Sequence, residues 1–219
     1  SFVFRLSTFV SQLSTKKILR FYQKVLFFLD LCVSKTNDMS EIRVVRANKE
    51  HEKYAQAISD LIYQASKNKD SGLAQRTPNY IISKMKEGKG VIAFAENDEI
   101  AGFCYVETWQ HGQFVANSGL IVNPKFRGQG LATRIKQEAF NLSRDMFPNA
   151  KIFGLTTSEA VMRINTKLGY VPVSYSRLTD DEEFWKGCES CVNYDILQRT
   201  GRTNCLCTGM VFDPNYDNK

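Results

Sequence analysis

Between positions 121 and 132 the chain reads Ile-Val-Asn-Pro-Lys-Phe-Arg-Gly-Gln-Gly-Leu-Ala, and this stretch has the residue types best suited to grip an anion. Gly128 and Gly130 let backbone N–H groups approach a ligand with no Cβ in the way, and a helix starting after them adds its partial positive charge. Arg127 supplies a formal charge and further donors, or serves the loop structurally. A pyrophosphate suits that environment. Spacing narrows the choice of ligand: a dinucleotide loop requires a third small residue where Thr133 stands, and a Walker loop requires a closing Gly-Lys-Ser/Thr that is absent.

An anion site becomes catalytic only with groups that move protons. Glu107, near the end of a strand-like run, and His111, in the following turn, are the candidate general bases. The plainer alternatives are a solvated strand end and an ordinary loop residue. Ser118 and Cys104 are weaker candidates, and Cys104 on an apolar strand reads most simply as a small buried hydrophobe. Four of the six cysteines form two close pairs, Cys188-x-x-Cys191 and Cys205-x-Cys207, with thirteen residues between them. Four thiolates at that spacing suggest a structural zinc clamp; plain packing and a redox pair are the alternatives.

The elements that must position these groups follow from periodicity. Ile42 to Val45 reads as a strand, and Asn48 as the cap of a helix with Tyr54, Ile58, Leu61, Ile62 and Ala65 on one face. Thr77-Pro78 opens a second helix that Gly88 closes. Strands are expected at Val91 to Ala95, Ile100 to Thr108 and Phe114 to Val122, the last stopped by Asn123-Pro124. A helix with Leu131, Ile135, Ala139, Leu142 and Met146 on one face follows the glycine loop. Then come a strand, Ile152 to Thr156, a helix capped by Ser158 and stopped by Gly169, and a strand-like Val171 to Tyr175. The order β-α-α-β-β-β-α-β-α-β is a mixed α/β layer.

This combination resembles the GNAT superfamily of N-acetyltransferases. Arg127, Gly130 and Ala132 match its Q/R-x-x-G-x-G/A loop, Val122-Asn123-Pro124 its V-x-P, and Ala160, Lys167, Gly169 and Tyr170 its A-x(6)-K-x-G-F/Y pattern. The resemblance covers residues 42 to 175. It implies a GNAT fold, a mixed central sheet flanked by helices, here with a cysteine-containing C-terminal extension. It implies acetyl-CoA as co-substrate, with the backbone of Ile121 and Val122 along the pantetheine arm. The N–H groups of Arg127, Gly128, Gln129, Gly130, Leu131 and Ala132 would take the pyrophosphate. Many members carry a tyrosine acid two residues before the Lys of K-x-G-F/Y; Asn165 stands there, able to hydrogen-bond the pantetheine. The implied partner is a small-molecule amine or amino acid, met in the segment from Lys67 to Thr77 with Arg76, and the assembly to test is a homodimer. Similarity of the body and tail to a bacterial subgroup linked to arginine biosynthesis suggests glutamate as one acceptor. The alternative is an acyl-CoA-binding sensor with little transferase activity.

Composition agrees with a soluble, folded globular protein: 43% hydrophobic and 24% charged residues over 219 positions. The net charge of +6 is mostly local, since residues 1–38 hold six Lys or Arg against two Asp, or +4, and leave +2 for the rest. A body so balanced argues against nucleic-acid binding. Lys16 to Val33 reads as a basic amphipathic helix, too short in its apolar run to span a bilayer and without a cleavage site after it. It is either a surface- or partner-binding helix or an extension outside the fold. The expected division is thus residues 1–38 outside the domain, 39–178 the acyltransferase domain, and 179–219 a Cys-rich extension packed on it, in a cytoplasmic protein.

Overall fold

The computed structural model describes residues 42–68 and 71–216, so the amphipathic segment from Lys16 to Val33 lies outside the described residues. Residues 42–219 form one compact unit. It is built as β1 (Arg43–Ala47), α1 (Ala55–Ser66), α2 (Pro78–Lys86), β2 (Gly90–Phe94), β3 (Ile100–Trp109), β4 (Phe114–Val122), α3 (Leu131–Met146), β5 (Lys151–Thr156), α4 (Glu159–Lys167), β6 (Val171–Val173), α5 (Glu182–Lys186), α6 (Tyr194–Arg199) and β7 (Thr208–Phe212). The expected order is present, and α5, α6 and β7 extend it.

The seven strands form one sheet in the order β1-β2-β3-β4-β5-β7-β6. Strands β1 to β4 are antiparallel neighbours, whereas β4 and β5 run parallel. Strand β7 pairs antiparallel with both β5 and β6, so the last forty residues complete the sheet as well as packing on it.

Every residue of β2 is buried because both faces of the sheet are covered. With the two-residue period of a strand, Val91 and Ala93 face the core shared with α3, while Ile92 and Phe94 face the core under α1 and α2. Ile135, Ala139 and Leu142 give α3 its inward stripe; Met146, expected on that face, is 38% exposed because the helix ends there. A third cluster joins Phe153, Trp185, Leu197 and Val211 and ties the extension to the sheet.

The caps act as their residue types dictate. Thr77 Oγ1 accepts from the Tyr80 N–H at 3.3 Å and Ser158 Oγ from the Val161 N–H at 3.4 Å. Asn48 caps a 3-10 turn, Lys49–Tyr54, before α1 begins, because His51 Nδ1 accepts from the Asn48 N–H and tightens the chain there. Val171 to Tyr175 is likewise shorter as a strand than its pattern suggests: Tyr175 sits in a 3-10 turn, its hydroxyl donating to the Cys207 carbonyl at 2.6 Å.

Candidate functional site

Strands β4 and β5 pair over only three residues, ending at Ala116 opposite Phe153. Beyond that point β4 bulges. Between the Tyr105–Ser118 and Phe103–Ile121 pairs it carries one more residue than β3, and Gly119 takes φ +64° there. A Cβ at Gly119 would lie 2.4 Å from a Tyr105 ring carbon, so only glycine fits. The two parallel strands therefore part, and a cleft of about 1100 Å³ opens between them.

The anion loop lies at one end of this cleft. Gly128 and Gly130 adopt φ of +78° and +75°, and a Cβ at either would meet nothing within 4 Å, so backbone conformation rather than crowding calls for glycine. Gly130 caps α3, whose first N–H groups have no partner within the helix. Arg127 is exposed, with Nε donating to the Val122 carbonyl at 3.2 Å. Ile121, Val122, Arg127, Ala132 and Asn165 line the cleft, while the Leu131 side chain turns into the core. Asn165 is 1% exposed; its Nδ2 reaches Met210 Sδ at 3.7 Å and its Oδ1 is buried with no hydrogen-bond partner. A buried carbonyl oxygen left open beside a cleft suits a donor from a ligand.

The other end of the cleft is a polar cluster. Glu107 accepts from Lys84 Nζ at 2.7 Å and from the Tyr80 hydroxyl. Arg76 Nε donates to the Tyr105 hydroxyl at 2.7 Å, with the Tyr80 ring 5.4 Å from its guanidinium carbon. Burial pushes the Tyr80 and Tyr105 phenols above the ordinary tyrosine range, so both stay protonated. His111 does not join them: it is exposed in a turn at φ +55°, outside the residues lining the cleft. Cys104 is fully buried, and its thiol is pushed up to about 11 by burial.

The zinc expectation finds no support. Among the described residues, no group of three or more His, Cys, Asp or Glu side chains is arranged to hold a metal. Cys205 Sγ lies 3.8 Å from the Asn193 carbonyl, and Cys207 Sγ would lie 3.2 Å from a Cβ on Gly72. Cys188 faces the cleft within electrostatic reach of Arg76, a cation that disfavours a second one. Burial and the neighbouring thiols push Cys188 up to about 11 and Cys207 up to about 12. All five described cysteines are free.

Sequence reasoning missed three parts of this site. Tyr80, Lys84 and Tyr105 carry no chemical signal of their own in the sequence, and only their meeting with Glu107 and Arg76 gives them a role. Gly119 is hidden inside a continuous strand pattern. Lys136 reads as a solvated helix charge, yet it is 2% exposed and lines the cleft.

A splayed mixed sheet with a glycine-capped helix aimed at its opening is the architecture of an acyl-CoA-dependent N-acetyltransferase. The chain belongs to the acetyltransferase (GNAT) family, whose family model matches residues 57–170, just over half of the sequence. No curated protein sequence matches it. Among solved structures it is similar to N-acetylglutamate synthase from Neisseria gonorrhoeae complexed with coenzyme A and N-acetyl-glutamate, at 14% identity and TM-score 0.57, covering 80% of this chain and 35% of that one. It is also similar to the Rv2747 protein of Mycobacterium tuberculosis in complex with CoA, at 14% identity and TM-score 0.55 over 78% and 98% of the two chains. A putative acetyltransferase from Salmonella typhimurium with acetyl-CoA gives 14% identity and TM-score 0.55 over 82% and 98%. At these identities the likeness is one of fold. The chain spans about a third of the length of the synthase.

Proposed function

We propose that the protein moves an acetyl group from acetyl-CoA to the amino group of a small amine bearing a carboxylate, an amino acid such as glutamate. The observation that carries this acceptor class is Arg76. Its hydrogen bonds use Nε, to Tyr105, and Nη1, to the Gln75 carbonyl at 2.7 Å, which leaves Nη2 for a carboxylate. A guanidinium held flat in this way is pre-organised for a carboxylate oxygen. The synthase whose structure holds N-acetyl-glutamate makes glutamate the first acceptor to assay.

The remaining residues fit this reading. Ile121 and Val122 would run along the pantetheine arm, the loop from Arg127 to Ala132 would take the pyrophosphate, and Asn165 Oδ1 would accept from a pantetheine amide. Glu107, anchored by Lys84 and Tyr80 beside Arg76, is the candidate base for the acceptor nitrogen. The free cysteines suit a reducing compartment, and we assign the protein to the cytoplasm on that ground. Among the described residues, no helix is long and apolar enough to cross a membrane.

Thiol release from acetyl-CoA, followed across amino acids and the matching amines that lack the carboxylate, tests the acceptor class. Release is expected with the amino acids alone, and equal turnover of both series would refute the assignment. In Arg76→Ala the KM for the acceptor should rise roughly ten- to a hundredfold, the effect of one lost charge-assisted hydrogen bond, with the KM for acetyl-CoA unchanged.

A further inference from the structure

Lys136 is the least expected charge in the molecule. It follows Ile135 on α3 and turns inward with it, 2% exposed, to the root of the cleft. There Nζ donates to the Asn117 carbonyl at 3.3 Å. Asn117 is the residue directly after Ala116, where β4 and β5 cease to pair. The Asn117 side chain is fully engaged: Nδ2 donates to Ser143 Oγ at 2.6 Å, and Oδ1 accepts from the Tyr170 hydroxyl at 3.0 Å. The Tyr170 ring lies 5.4 Å from Nζ. An ammonium has three donors, and a buried one ordinarily meets a carboxylate. Among the described residues it makes a single long bond, to a carbonyl, and no acidic side chain pairs with it. The cost of burying such a cation calls for a use.

We propose that the Lys136 ammonium gives the proton taken up by the departing coenzyme A sulfur, the task for which Asn165, an amide, has no proton to offer. The proposal rests on the acetyl-CoA reading of the cleft. The acceptor nitrogen forms the new C–N bond, the C–S bond breaks, and the sulfur takes a proton from Nζ, leaving a neutral lysine. The proton lost by the acceptor nitrogen passes through Glu107 to water, and a proton from water restores the ammonium. The titratable groups that face Nζ are Cys104 from β3 and Tyr170 from the turn after α4. Burial keeps both neutral, pushing Cys104 up to about 11 and Tyr170 well above its usual range, so neither holds the lysine in an ion pair. Burial lowers Lys136 itself to about 8, near the ordinary thiol value of about 8.5, a match that favours transfer between them.

The first measurement needs only the native protein: titration of the thiol of bound CoA by thiolate absorbance. An ammonium beside the sulfur should leave about tenfold more of the bound thiol ionised at pH 7 than in free CoA. An unshifted thiol overturns the proposal, whereas failure of CoA to bind overturns the reading of the cleft. Lys136→Met should bind CoA and lose the shift. Lys136→Arg, which keeps the charge but does not release a proton, should keep it. With the best amine of the acceptor panel, both variants should lose roughly a hundredfold in kcat/KM for acetyl-CoA, together with the wild-type fall in rate as pH rises through about 8. Full activity in Lys136→Arg would overturn proton donation, because the charge alone would then suffice.

Discussion

Lys136 brings a cation into a core that offers it one carbonyl oxygen, and the protein bears the cost in stability. Its folded-state value, about 8, lies below the ordinary lysine value of about 10.4, so between those pH values the unfolded chain binds the additional proton. Stability from this group therefore rises as pH increases from 8 towards 10.4, and the whole penalty is present below 8. Lys136→Met removes the charge and keeps an unbranched side chain, one atom shorter. Its melting temperature should exceed that of the native chain at pH 7, by an amount corresponding to a few kcal/mol, and the gap should narrow between pH 8 and 9.5. Thermal denaturation of both chains across that range checks this; a constant gap would show that the buried amine keeps its proton throughout, as in the unfolded chain, and that burial does not lower it. Cys104 works in the opposite sense, since its raised value costs stability once the unfolded thiol ionises, but it is present in both chains and cancels to first order. At this scale the sequence makes Arg127, Gly130 and Glu107 legible because their neighbours in the chain explain them. Lys136 is not legible, because a lysine beside an apolar helix stripe is ordinarily solvated.

The two glycine positions in the site are demanded for different reasons, and substitution separates them. At Gly130 the requirement is a positive φ in open space. Gly130→Val should leave the fold standing at a cost of about 1–2 kcal/mol while abolishing CoA binding, as read by denaturation and calorimetry. At Gly119 a methyl group collides with the Tyr105 ring, whose hydroxyl orients Arg76. Gly119→Ala should therefore cost more, about 2–4 kcal/mol, and weaken acceptor binding through a side chain it does not touch. Equal stability losses in the two variants would contradict this account. The loop glycine announces itself in sequence because it falls at a strand-to-helix junction. The bulge glycine does not, because Phe114 to Val122 keeps a strand pattern throughout and the extra residue is defined only against β3.

Strand β7 lies between β5 and β6, so the end of the chain is built into the sheet. Strand β5 pairs over three residues with β4 and over five with β7, and the cleft wall near Phe184 and Cys188 rests on the same extension. Truncation after residue 206 should leave β5 held on one side only. We expect loss of cooperative thermal unfolding and an early rise in hydrogen exchange across residues 151–156; a truncated chain that melts as sharply as the native one would refute this. Residues 179–219 read in sequence as a cysteine-rich appendage because close thiol pairs suggest a metal clamp. In the fold those thiols lie near one another without an arrangement that holds a metal among the described residues, and the extension is held by Trp185, Leu197 and Val211 packed on Phe153. The sequence by itself determined the order of elements, the anion loop and the family, since each follows from local periodicity and short spacings along the chain. Only the tertiary structure decided where the strands part, which side chains gather beside Glu107 and Arg76, and that Lys136 is buried. These depend on contacts between residues far apart in the chain, which no local pattern encodes.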